Sequence, residues 1–286
     1  MDRNTWHHLL HRAVETNKYD YGHVLIIGGS PAMAGAPILA ARAALRAGAG
    51  LVTIASDNET IEHINRDVAE VMTFTLSAWS EPEKIEVLVK NFIDNHHVTA
   101  VVIGPGLAVG ADMTIRSLIA NLSTIPIIID AQAIRALHGH LTMLKKAAKT
   151  KDLIITPHSG EFAFLADAAI TNNKSIEEAA LREFALKHNL VVVLKHAHTL
   201  IANKNGELYA NKTGNAGLAT AGTGDALSGI IGALTAQGVA AYEAAKMAVY
   251  LHGLAGDIAA AAKTEPGMIA SDVIEAIPEA LKLIDA

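Results

Sequence analysis

The stretch GNAGLATAGTGDALSGIIGALTAQG, Gly214 to Gly238, sets a single acid, Asp225, behind Gly222 and Gly224 and ahead of an apolar run. Leu227, Ile230, Ile231 and Leu234 recur at i, i+3, i+4 and i+7, which predicts a helix from near Asp225 to Gln237, ended before Gly238. At the head of that helix Asp225 can be an N-cap, a role worth about 1 kcal/mol. It can also be a general base, and the two roles are compatible. The cap alone leaves the preceding ATAGTG unexplained. Glycines at 222 and 224 let backbone N–H groups approach a ligand, and the helix dipole adds partial positive charge, so the turn suits an anion under transfer. A carboxylate beside such a turn can take the proton of an attacking hydroxyl. Gly229 and Gly232 within the helix each cost about 1 kcal/mol against alanine, which predicts a close neighbour packed on it.

Four other stretches carry candidate chemistry. TPHSGE, Thr156 to Glu161, spaces His158 and Glu161 so that both can share one helix face. There Glu161 could hold a water of Mg²⁺; alternatively Ser159 caps the next helix and Glu161 sits favourably in its first turn. KHAHT places Lys195, His196, Ala197, His198 and Thr199 at a strand end. A lysine contacting a nucleotide fits better than zinc on His196 and His198, which lack a third ligand nearby. The passage IIGGSPAMAGAPILAARAALRAGAG runs from a strand through Gly28 and Gly29 into an alanine-rich helix containing Ala36. It is neither a Walker A loop nor G-x-G-x-x-G, so it reads either as an anion-binding turn or as a tight packing turn. GPGL, with Gly106, raises the same alternative at another strand end, where open α/β sheets bind ligands. His7, His8, His96 and His97 read as surface or packing residues.

These stretches need a scaffold that gathers strand ends. HVLIIGG, LVTIAS, AVVIGPG, IPIIIDAQ, DLIITPHSGE and LVVVLKH are short β-branched runs, apolar on both faces, each followed by a turn signal and a helix-prone stretch. They predict an α/β sandwich, a mainly parallel sheet covered by helices on both sides. TLIANKNGELYANKT predicts an antiparallel hairpin at one sheet edge around Asn205-Gly206. ASDVIEAIPEALKLIDA predicts a closing helix that Pro278 bends or restarts. No linker or repeat divides the chain, so one domain over 1–286 is expected, with 1–20 as a short helical extension.

Composition removes other classes. The net charge is −6 and the pI near 6.1, with no basic stripe for a nucleic-acid backbone. Lys145, Lys146, Lys149 and Lys151 read as a solvated helix face. With no cysteine, disulfides, thiolate catalysis and cysteine-bound zinc are excluded. The N-terminus lacks a signal-peptide layout and no run approaches a membrane span, so a cytoplasmic protein without membrane or nucleic-acid partners is expected.

The order of GGSPAMAGAPILAARAALRAGAGLVT, VIGPGL, IIIDAQAI, ITPHSGE, VVVLKHAHT and GNAGLATAGTGDALSGIIGAL resembles the ADP-dependent (S)-NAD(P)H-hydrate dehydratases, of ribokinase-like fold, from about His23 onward. The resemblance implies repair of NADHX and NADPHX: a nucleoside diphosphate or triphosphate, ADP or ATP, phosphorylates the added hydroxyl, and loss of phosphate restores NADH or NADPH. It implies Asp225 as the base and the Gly222, Thr223 and Gly224 backbone as the anion hole. The hydrate would contact Ala36, Gly106, His158 and Asp225, and the nucleotide would lie along Lys195 to Thr199 and against Gly224. Glu161 would help organise Mg²⁺, and a homotetramer is implied.

Three positions depart from the family pattern. His196 follows Lys195 where glycine is usual, Ser159 replaces a proline, and Gln132 stands where a second acid is common, leaving Asp130 alone at that strand end. With no epimerase domain in view, repair of the R hydrate is expected to need a separate epimerase. The rival expectation within the fold is a kinase for a small alcohol, such as hydroxyethylthiazole or a pyridoxal-like vitamin precursor. A third is a nucleotide-binding regulator without catalysis.

Overall fold

The computed structural model describes Trp6 and residues 9–77, 79–122, 124–167 and 174–285. His7 and His8 lie outside these. Among the described residues nine strands form one sheet: β1 (His23–Ile27), β2 (Leu51–Ser56), β3 (Met72–Thr75), β4 (Ala100–Ile103), β5 (Ile127–Ile129), β6 (Leu153–Ile155), β7 (Val191–Leu194), β8 (Leu200–Ala202) and β9 (Leu208–Ala210). Their order is β3-β2-β1-β4-β5-β6-β7-β8-β9, parallel through β7 and antiparallel from β7 to β9. The antiparallel edge is the expected hairpin. Its turn is held by Asn203 Oδ1, which accepts the N–H groups of Asn205 and Glu207.

Strand residues alternate between two cores. Val24 and Ile26 pack on one face of the sheet and Leu25 and Ile27 on the other, all fully buried. That double burial is why these strands read as continuous apolar runs. The first face is covered by α1 (Gly35–Arg46), α2 (Asn58–Asp67), α9 (Thr223–Ala236), α10 (Ala241–Lys263) and α11 (Ala270–Asp285). The second is covered by α3 (Pro82–His96), α4 (Asp112–Asn121), α5 (Gln132–Arg135), α6 (Leu141–Ala147), α7 (Ser159–Ala166) and α8 (Lys174–His188). A three-layer α/β sandwich results. No helix among the described residues is long and apolar enough to cross a membrane.

The close neighbour expected under α9 is α1. A Cβ on Gly229 would fall 2.0 Å from Ala40 O, and one on Gly232 would fall 2.7 Å from Val102 Cγ2. Glycine therefore sets the separation between α9, α1 and the sheet.

Of the bend or restart expected at Pro278, the restart is absent: helix α11 is continuous through it, and Val273, Ile274, Ile277 and Ala280 hold both of its halves against the core. One expectation is corrected. The lysine cluster is not one solvated face. Helix α6 stops at Ala147, and Lys151 is buried, donating to Ile119 O at 3.2 Å and to Leu122 O at the C-terminal end of α4. Those carbonyls have no helical donors left to them, and a lysine satisfies them. At the N-terminus Trp6, Leu9 and Leu10 are helical, and Lys18–Tyr21 forms a 3₁₀ turn before β1.

Candidate active site

The sheet order reverses between β1 and β4, the kind of switch point beyond whose strand C-termini open α/β sheets bind ligands. The turns after β1 and β4 meet there: Gly29 N–H donates to Pro105 O at 2.8 Å. Gly106 has φ 69, and a Cβ on it would lie 2.5 Å from Met33 O and 3.0 Å from the Ala36 side chain. Ala36 and Gly106, far apart in sequence, are thus in contact.

The next strand ends continue the same rim. Asp130 follows β5, Thr156 to His158 follow β6, and Lys195 follows β7, with Lys195 N–H donating to Pro157 O at 2.8 Å. Lys195 Nζ lies 2.8 Å from Asp130 Oδ1, which also accepts from Thr156 Oγ1 at 2.7 Å. Asp130 is almost fully buried. Burial opposes the Lys195 charge, yet Asp130 beside it, helped by Glu161 and Asp225, outweighs that and raises the lysine pKa. Lys195 therefore stands as a fixed cation. Its Nζ is 3.3 Å from where a Gly224 Cβ would be, so it flanks the α9 turn directly.

At that turn Gly222, with φ 90, occupies the N-cap position of α9 and offers no side-chain cap. Asp225 is the third residue of the helix, so its carboxyl is not the N-cap. The N–H groups of Gly224 and Asp225 have no acceptor within the helix and remain available to an anion. Burial, reinforced by the Asp130 charge and opposed by Lys195, pushes Asp225 up to about 7. A carboxyl poised there exchanges a proton near neutral pH. The Thr223 hydroxyl serves the turn itself, 2.8 Å from both Leu218 O and Thr220 O.

The α7 turn differs from expectation. His158, whose backbone is extended, caps the helix in place of Ser159: its Nδ1 accepts from Gly160 N–H at 3.0 Å and Glu161 N–H at 3.2 Å. Glu161 Oε2 returns the contact by accepting His158 N–H at 2.9 Å, and Oε1 stands 3.6 Å from His158 Nε2. Glu161 is thus held in a capping box, with one oxygen committed. Among the described residues no group of three His, Asp or Glu side chains converges as a metal site.

The segment Lys195 to Thr199 is a compact turn between β7 and β8. His198 N–H donates to His196 Nδ1 and Thr199 Oγ1 donates to His196 O, while His196 Nε2 sits 3.4 Å from Glu177 Oε2 of α8. His196 is therefore engaged away from Lys195. Gln132 Nε2 donates to Asp112 Oδ1 at the start of α4, so the departure at that strand end serves packing of α4.

Two residues escaped the sequence reading. His252 of α10 is buried behind Thr223, and burial pushes its imidazole down to about 4, which keeps it neutral. Asp257 of α10 accepts Gly214 N–H and Asn215 Nδ2, each at 2.9 Å. Asn215 Oδ1 accepts Gly217 N–H, and Thr220 Oγ1 donates to Gly217 O. Asp257 is thereby joined to the turn that carries Gly222 to Asp225. The available signal was HGLAGD in α10, an acid behind two glycines that a plain core helix would not need.

A family model described as NAD(P)H-hydrate dehydratase matches residues 24–279 of this arrangement. The chain belongs to that family. It is 35% identical over 269 residues to the ADP-dependent (S)-NAD(P)H-hydrate dehydratase of Neisseria meningitidis, covering 93% of this chain and 86% of that protein. It is 37% identical over 283 residues to the bifunctional NAD(P)H-hydrate repair enzyme of Moorella thermoacetica, covering 96% of this chain and 52% of that one. The chain thus spans about half the length of the bifunctional relatives. Among solved structures, an ADP/ATP-dependent NAD(P)H-hydrate dehydratase of Bacillus subtilis, co-crystallised with ATP and Mg²⁺, superposes with a TM-score of 0.79 at 27% identity, covering 98% of this chain and 97% of that one. A ribokinase-like superfamily protein of Enterococcus faecalis gives 0.80 at 27%, covering 99% and 95%. The fold of this dehydratase family member is ribokinase-like. A hydroxyethylthiazole kinase of Pyrococcus horikoshii, at 18% identity, shares the fold alone.

Proposed function

We propose that the chain is an ADP-dependent dehydratase of (S)-NADHX and (S)-NADPHX. The observation that carries this is the placement of Asp225, with its pKa near 7, in the first turn of α9 beside Lys195 and the open N–H groups of Gly224 and Asp225. Asp225 takes the proton of the hydrate hydroxyl as its oxygen attacks the terminal phosphoryl group. The nucleotide oxygen leaves with the bond electrons, and the turn N–H groups with Lys195 hold the charge that develops. Loss of phosphate from the new ester, with a proton from the neighbouring carbon, restores the dihydronicotinamide.

In this reading Ala36, Gly106 and His158 position the hydrate, and Lys195 to Thr199 with Gly224 position the nucleotide. Glu161 Oε1 is the oxygen suited to a water of Mg²⁺, an ion that would neutralise phosphoryl oxygens when bound. ADP as donor is supported by the Neisseria relative's name, cytoplasmic homotetramers by the family resemblance. The bifunctional relatives support pairing with an epimerase.

The test mixes the full chain with NADHX, Mg²⁺ and either ADP or ATP and follows the near-ultraviolet absorbance of NADH. Recovery with one donor, lost in Asp225→Asn, is expected. No recovery with either donor, or a stable phosphate ester from a small alcohol, overturns the reading.

A further inference from the structure

Beside the turns that follow β1 and β4 lies a cleft of about 350 Å³, lined in part by Gly29 and Leu107. Pro31, Trp79, Leu107 and Ala111 give it an apolar wall, and Asp57, the residue after β2, stands in it half-buried. Leu107 adjoins Gly106, and Gly29, also in the wall, is hydrogen-bonded to Pro105. The cleft therefore opens directly beside the residues proposed to hold the hydrated ring. A dinucleotide is longer than that ring, and its second half needs a place.

Size and chemistry match one nucleoside. The volume is that of a small-ligand site, with an indole for a base to lie against and few polar groups. Asp57 is fixed by accepting Thr60 N–H at 2.9 Å and Thr60 Oγ1 at 2.8 Å, which leaves each carboxylate oxygen a further lone pair. A carboxylate facing an apolar cleft can accept hydrogen bonds from a ribose hydroxyl pair and repels a 2′-phosphate by like charge. No lysine, arginine or histidine lines the cleft among the described residues.

We infer that this cleft holds the adenosine end of the dinucleotide hydrate and that Asp57 selects the substrate with a free ribose 2′-hydroxyl, NADHX over NADPHX. The inference rests on the dehydratase reading for what the substrate is, and its test uses binding so that the two can fail separately.

The full chain, Asp57→Asn and Trp79→Ala are titrated calorimetrically with NADH and NADPH, and kcat/KM is measured for both hydrates. Asparagine retains the cap on Thr60, so Asp57→Asn keeps the fold. The unaltered protein is expected to bind NADH roughly tenfold more tightly than NADPH, because like charges oppose the 2′-phosphate. Asp57→Asn should bring the two within about twofold by strengthening NADPH, and Trp79→Ala should weaken both roughly tenfold. Equal affinities in the unaltered protein, a ratio unmoved by Asp57→Asn, unchanged binding in Trp79→Ala, or no binding of either dinucleotide overturns the inference. Selective binding without turnover of either hydrate overturns the dehydratase reading and leaves the cleft as a dinucleotide site. Turnover of both hydrates with equal kcat/KM does the reverse.

Discussion

Lys195 Nζ sits 2.8 Å from Asp130 Oδ1, and the two act on Asp225 with opposite signs: Asp130 raises its pKa and Lys195 lowers it. The base works ionised, so the acidic limb of kcat/KM is expected near pH 7. Lys195→Met removes the cation and leaves Asp130 unpaired, moving that limb to higher pH. Asp130→Asn removes the repulsion and moves it to lower pH. At pH 7 Lys195→Met should also lower kcat by roughly a hundredfold, the scale of losing one charge-stabilising group. A pH–rate profile of both variants checks the signs.

Asp225→Asn should abolish turnover and stabilise the protein. A carboxyl whose pKa is raised on folding from 3.8 to about 7 binds more protons folded than unfolded across that interval. Stability from this group therefore falls as pH rises through the interval and stays lost above it. Replacing it should raise stability at pH 8 by on the order of 1–2 kcal/mol, and by little at pH 4. Urea unfolding of both proteins at the two pH values measures it.

Asp257→Ala should slow the reaction without touching a reactant. Losing the acceptor for Gly214 N–H and Asn215 Nδ2 frees the segment that leads into the anion turn. A roughly tenfold to hundredfold fall in kcat/KM is expected. Asp257→Asn, which retains one acceptor, should fall between the two. Hydrogen exchange over 214–224 should rise in the same order.

Lys151→Met should remove a pH dependence of stability. Burial lowers the Lys151 pKa from 10.5 to about 8, so between those values the unfolded chain binds more protons. This group's contribution to stability therefore rises with pH across that window. The difference in urea midpoint between the two proteins, followed from pH 7 to 10, should show that rise only in the unaltered chain.

Gly229→Ala should destabilise by roughly 2–4 kcal/mol, because its Cβ would meet backbone at Ala40 and force α1 and α9 apart. Gly232→Ala should cost less, since its Cβ meets a valine methyl group. Chemical unfolding midpoints rank the two.

What could be read in the sequence was what neighbouring residues decide together. The Asn205-Gly206 hairpin, the two-faced strands and the helix after Gly222 each rest on local spacing and turn chemistry, and each is present. The pairing of Asp130 with Lys195 joins residues 65 positions apart, from the ends of β5 and β7 across the intervening β6, and no periodicity encodes it. Lys151 fits a helical face by spacing, but its partners are carbonyls on another helix. His158 took the cap expected of Ser159 because α7 begins at Ser159, and an imidazole nitrogen reached the same N–H groups.

The glycine seam beneath α9 has a consequence for how precisely this protein can aim. With Ala40 O pressed against Gly229, the helix has no clearance in which to slide or roll, so the reach of Asp225 is set when the chain folds. The acid is mounted like a tool on a bedplate. A methyl group added under that mounting would be felt a turn and more away, as a misdirected proton transfer in molecules that are still folded.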